Sequence, residues 1–268
     1  MQWLRYGLLV GMCWAWTGAV AAQPPGGELP AALTPPPGGG PIFVVPTAPP
    51  PPPLWVGSLE LGILGASGNS DNFRFRFGGN VKSESPDHLW VADLVYNYAE
   101  AFGVRNENRA MFNTRYEWLY GDSPWSTFVS GQMEYDEFRA FDVRLAMHLG
   151  VAYTFVRTDW TLLKGRLGAG TSREIGGPND RFIPEALMGL DFEHQFNDKT
   201  KFVSSFDYFP NITDWSDYRF QLRAALETVL VEEWNLSLKV GIFDRYDSTP
   251  EGRKPNDLEY FATLMWKF

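Results

Sequence analysis

Cysteine is almost missing from this chain. The 268 residues hold one, Cys13, so no disulfide framework and no cysteine metal site can be built. Histidine is scarce as well: His88, His148 and His194 are the whole set, with no pair at ligand spacing. Positive charge is in deficit, 23 Lys and Arg against 32 Asp and Glu, for a formal net charge of -9. That argues against a nucleic-acid partner, which favours a basic face. Past residue 25 no run of 18 apolar residues occurs, so no helix spans a bilayer. There is no glycine-rich phosphate loop, and the pattern requires no Ser–His pair on adjacent strands. A nucleophile without its base and orienting group is not a site. An enzyme is not expected, and no catalytic, cofactor-binding or metal-binding residue is assigned.

What is present begins with a secretory leader. Arg5 gives a short positive start, Leu8 to Trp16 an apolar core, and Ala19-Val20-Ala21 or Val20-Ala21-Ala22 the small residues of a cleavage site. Residues 1–22 read as a signal peptide, too short for a spanning helix. Cys13 would leave with it. Residues 23–53 hold 13 of the 20 prolines. Proline lacks a backbone donor and fixes φ, so this stretch predicts a disordered, polyproline-II-like linker. A passive spacer is one reading; a tether toward the periplasm or cell wall is another.

From 54 to 268 the sequence runs in steps of two. Val143, Leu145, Met147, Leu149, Val151, Tyr153 and Phe155 alternate with Arg144, Ala146, His148, Gly150, Ala152 and Thr154. Phe73, Phe75 and Phe77 alternate with Arg74, Arg76 and Gly78, and similar runs recur to the end. Strand side chains point to opposite faces in turn, so each run is a strand with one apolar face. The reading gives twelve strands, at 55–66, 72–84, 88–100, 107–120, 125–137, 141–156, 160–172, 183–194, 200–209, 217–230, 234–246 and 257–268. Many exceed the ~5–6 residues of a soluble strand and reach the ~9–11 of a tilted membrane strand. Trp55, Trp90, Trp118, Trp125, Trp160, Trp234 and Trp266 stand near strand ends, where an indole suits headgroup depth.

Such strands cannot leave an open edge in hydrocarbon. The fold class predicted is therefore all-β, a transmembrane antiparallel up-and-down β-barrel of about twelve strands in a Gram-negative-type outer membrane. Tight turns at 85–87, 121–124, 157–159, 196–199 and 231–233 should face the periplasm, with longer loops outside. Outer-membrane lipid is the first expected partner. The last strand alternates Tyr260, Ala262, Leu264, Trp266 and Phe268. It resembles the terminal strand of outer-membrane barrels, and that resemblance implies recognition of Tyr260, Leu264, Trp266 and Phe268 by the barrel-assembly machinery.

The opposite face of the strands is charged. Arg74, Arg76, Arg109, Arg115, Arg144, Arg166, Arg219, Arg223 and Lys239 are its chief bases. Asp93, Glu117, Glu134, Glu185, Asp191, Glu227 and Glu259 are its chief acids. Ions away from bulk water are costly unless paired, so near-balance of sign predicts a packed or narrow polar lumen. Two functions stay open. One is an envelope barrel with an occluded lumen; the other is a narrow passive channel for ions or small polar solutes. An autotransporter barrel would need a passenger, and the proline-rich stretch is too short for one.

Three segments carry a family resemblance. Gly65-Ala66-Ser67-Gly68-Asn69-Ser70-Asp71 follows the first strand, and its glycines and Asn suit a tight turn. Tyr135-Asp136-Glu137-Phe138 with Phe141-Asp142-Val143-Arg144 lies mid-chain, and Tyr246-Asp247-Ser248 with Pro250 precedes the last strand. Together they resemble the salt-induced outer-membrane proteins, a YdiY-like domain of unknown function, over residues 55–268. The resemblance implies an outer-membrane barrel linked to salt or envelope stress, and brings no catalytic residue.

Overall fold

The computed structural model describes residues 55–69, 71–177 and 180–268. The leader and the proline-rich linker expected from the sequence lie outside the described residues. Period-two patterning yields twelve strands: β1 (Val56–Ala66), β2 (Asn72–Glu84), β3 (His88–Ala101), β4 (Val104–Leu119), β5 (Trp125–Asp136), β6 (Val143–Arg157), β7 (Thr161–Ile175), β8 (Phe182–Gln195), β9 (Thr200–Asn211), β10 (Asp214–Val231), β11 (Leu236–Asp247) and β12 (Asn256–Lys267). Each pairs antiparallel with its neighbours in sequence, and β12 returns to β1, closing the barrel. Over Ser58–Leu61, where β12 meets β1, closure removes the free edge that an open sheet would present.

The burial pattern is inverted relative to a soluble domain. On β6, Met147 and Leu149 are 63% and 69% exposed, while Arg144 and His148, of the opposite parity, are 7% and 2% exposed. The outer wall is apolar, and the inner wall carries the charges, interspersed with apolar side chains such as Leu89, Met111 and Phe243. Trp55, Trp90, Trp118, Trp125, Trp160, Trp234 and Trp266 all stand at the rim where β1 begins and β12 ends, here called the lower rim. The upper rim is tyrosine-rich: Tyr218 lies between Tyr208 and Tyr246, at ring separations of 5.6 and 5.5 Å.

Two upper connections are shorter than the sequence suggests. β4 and β10 begin at Val104 and Asp214, not at 107 and 217, so β3–β4 turns on Phe102-Gly103 and β9–β10 on Ile212-Thr213. Phe102 and Gly103 both have positive φ, 51° and 72°. That is the backbone of a two-residue hairpin turn whose twist matches the strands. Phenylalanine is a rare occupant of the first position, which hides the turn from a sequence reading. The upper connections are therefore not uniformly longer than the lower ones. In the first motif Gly65 sits inside β1 opposite Phe73, and Gly68, at φ 110°, makes the turn.

The wall is pinched between β6 and β7. A Cβ on Gly170 would lie 1.9 Å from the Met147 carbonyl oxygen, and one on Gly150 would lie 2.1 Å from that of Leu167. Only glycine allows the two backbones this approach. Phe128 of β5 projects inward beside the pinch and packs with Ala152, Leu187 and Phe209 as an apolar cluster inside the lumen.

Candidate functional site

The lumen is the candidate site, and it is filled in layers. In the upper half, Arg245 of β11 donates to Glu134 of β5 at 2.8 Å, across the full width of the barrel. Arg144 of β6 lies 3.5 Å from Glu134, bonds Asp247 of β11 at 2.8 Å, and also bonds Glu174 of β7. Beside this group Arg219 reaches Glu185 at 2.8 Å, with Ser172 donating to the same carboxylate at 2.7 Å. His148 Nε2 stands 3.4 Å from Glu185, with its ring against Phe209. Glu259 of β12 gathers Arg76 of β2 and Arg109 of β4, and accepts from Asn97 at 3.2 Å.

The β5–β6 loop closes over these pairs. Phe141 is buried under it, with the Arg144 guanidinium 4.5 Å from its ring centre. Arg139 crosses to Asp257 at 2.7 Å. Two segments that carried the family resemblance thus meet inside the barrel, through Arg144 and Asp247. Outside the spanning strands, Glu137 on this loop accepts from Asn108 and Arg105, and these bonds hold its carboxyl below the usual range.

At mid-height Gln132 and Gln221 exchange hydrogen bonds of 3.2 Å across the lumen, and Gln132 also donates to Asn113 at 2.7 Å. Arg223 is looser: it lies 3.1 Å from the Met111 sulfur and 3.9 Å from Asp93. Lower down, Glu117 is wholly buried between Lys164 at 2.7 Å and Arg115 at 2.8 Å. Asp191 joins Arg115 to Arg166, at 3.1 and 2.8 Å. At the lower mouth, Lys267, Lys201 and Lys239 surround Glu227 at 3.1, 3.4 and 3.8 Å, and Lys239 bonds Glu60 at 2.7 Å.

The charged residues singled out in the sequence stand on this inner wall, nearly all in ion pairs. Arg74 is the outlier; its side chain is 57% exposed and its nearest acid, Glu107, is 3.9 Å away. Arg219, Arg223, Lys201 and Lys239, on neighbouring strands, each face an acid. Sequence reasoning missed Glu174 and Asp247, having ended their strands too early. Ser172-Arg173-Glu174-Ile175 continues the alternation and would have revealed the first. Below the upper ion pairs a cavity of about 640 Å³ runs from mid-barrel to the lower rim, lined in part by the lower ones. Arg223, Lys201, Lys239 and Lys267 are among its lining residues.

The terminal strand turns Tyr260, Leu264, Trp266 and Phe268 outward, all exposed. Phe268 exchanges backbone hydrogen bonds of 2.8 and 2.9 Å with Gly57, and its ring lies over that glycine.

No curated protein matches the chain. Among solved structures, the translocator domain of the autotransporter NalP from Neisseria meningitidis aligns at a TM-score of 0.41 with 10% identity. That alignment covers 80% of this chain and 87% of the other. The beta domain of the Bordetella autotransporter BrkA aligns at 0.36 with 10% identity, covering 80% and 97%. A Pseudomonas aeruginosa FadL homologue aligns at 0.33 with 8% identity, covering 80% and 74%. A family model described as "Protein of unknown function, DUF481" matches residues 59–268, and the chain belongs to that family.

Proposed function

We propose that this chain is an outer-membrane barrel whose axial lumen is shut, serving the envelope as a structural barrel and not as a pore. The observation that carries the reading is the upper ion-pair layer. Arg245–Glu134 and Arg144–Asp247 each join strands on opposite sides of the wall. The apolar exterior between tryptophan and tyrosine girdles supports immersion in lipid. The longest connections, β5–β6, β7–β8 and β11–β12, stand at the upper rim, which favours the lower rim as the periplasmic one. Outer-membrane lipid and the assembly machinery, reading the outward aromatics of β12, are the partners in this account. A link to salt or envelope stress rests on the family resemblance alone.

The cavity of about 640 Å³ beneath the layer favours a second reading, a narrow passive channel for ions or small polar solutes. Planar-bilayer recording separates the two. The occluded barrel gives no stable current steps at any salt or voltage. Alanine substitution of both crossing pairs, Glu134–Arg245 and Arg144–Asp247, together with the Gln132–Gln221 bridge, introduces them. Stable, salt-scaled steps from the unaltered protein would overturn the occluded reading and establish the channel.

A further inference from the structure

The wall is not joined over its whole height. β1 and β12 share register pairs only from Ser58↔Lys267 to Leu61↔Leu264, with the Gly57–Phe268 bonds below them. Above, among the described residues, Gly62–Ala66 pairs with β2 alone, and 256–263 of β12 pairs with β11 alone. Two rows of backbone donors and acceptors therefore face each other unjoined in the upper half. Hydrocarbon does not tolerate such rows unless they line a cavity or are covered.

A cleft of about 380 Å³ occupies the gap, a size within the ~300–1,000 Å³ of small-molecule sites. Ile63 and Leu64 line one side and Tyr260 and Phe261 the other; the polar lining is Arg74 and Arg76 with Glu100, Glu259, Asn72 and Asn106. Leu64 has the inward parity of β1 yet is 66% exposed. Arg76 and Phe261 also line the larger cavity below. The two spaces thus meet at one partition, the Arg76 guanidinium 4.1 Å from the Phe261 ring centre, held by Asn97 at 3.1 Å and by Glu259.

We propose that this seam is a lateral port for a single-chain anionic amphiphile, a fatty-acid-like carboxylate entering from the outer leaflet. The apolar sides suit one acyl chain. Arg74, mostly exposed and only loosely paired, suits the anionic head. The Arg76–Phe261 partition divides the port from the lower cavity. The port is compatible with a shut axis, since it opens through the side of the wall at the level of the Arg76–Glu259 pair. It rests on the membrane reading given above.

The test uses the mature full chain in phosphatidylcholine vesicles, with palmitic acid carrying a photoactivatable diazirine and its uncharged methyl ester as probes. Adducts are mapped by mass spectrometry, and insertion is read in the same samples by heat-modifiable migration. Expected are acid adducts concentrated on Ile63, Leu64 and Tyr260, several-fold above the equally exposed Met147 and Leu149. Arg74→Gln should weaken the dose dependence for the acid about tenfold and leave the ester unchanged. Leu64→Trp should suppress labelling by both. Adducts spread along the belt in proportion to exposure would overturn the port, as would cross-links between two copies at Leu64 and Tyr260 without acyl adducts. Failure to insert would overturn the membrane reading, and the port with it.

Discussion

Glu117 shows what a single residue does in this barrel. It is wholly buried, and two cations depend on it. A buried pair adds little over well-packed apolar groups, but removing one partner strands the other charge, at about 3–5 kcal/mol. Glu117→Gln should therefore lower unfolding stability by about that amount in urea titrations of vesicle-bound protein. The double variant Glu117→Leu/Lys164→Met should recover much of the loss. Lys82→Ala, in the half-exposed pair with Glu84, should change it by less than about 1 kcal/mol. Equal losses for Glu117→Gln and Lys82→Ala would show that the lumen is wet. At this scale the inward set was legible, because period two assigns every residue to a face. The partners were not. Arg109 finds Glu259 from 150 residues away, and that meeting depends on strand stagger and lumen width, which no local pattern encodes.

At the scale of the element, strand number and order follow from the sequence, and strand ends agree within three residues. The misses have physical causes. Phe102 occupies a positive-φ position that asparagine or glycine normally signals. Glu174 lies beyond Arg173, a charge among the outward positions of β7, and Asp247 is the last residue of β11, so an apolar run flanks neither on both sides. The β6–β7 pinch was also hidden, since glycine in a strand does not say what approaches it. It yields a sharp expectation. Gly170→Ala drives a methyl into the Met147 carbonyl and should cost about 1–3 kcal/mol, with a lower yield of heat-modifiable barrel. Gly131→Ala, whose added carbon would meet the Thr114 methyl at 3.6 Å, should be tolerated. If both assemble equally well, the close approach of β6 and β7 is wrong.

At the scale of the whole molecule, closure depends on a short seam. Only the lower part of β12 joins β1, and Phe268 supplies both of its final backbone bonds to Gly57. Deleting Phe268 should therefore reduce the yield of heat-modifiable barrel far more than deleting Pro35 to Pro53. Equal yields would remove the terminal strand from the account of assembly.

The claim beneath all of this is that lipid bathes the apolar outer wall while the charged wall is sealed inside. Spin labels test it most directly, because residues 55–268 contain no native cysteine. Single cysteines along β6 at Leu145, Met147, Leu149 and Val151, and at Ala146 and Ala152, would be labelled in vesicles. Collision with oxygen and with a water-soluble nickel complex is then compared at each site. The account predicts that oxygen dominates at the four odd positions and that neither reagent collides freely at the two even ones. Nickel collisions dominating at Met147 and Leu149 would contradict it.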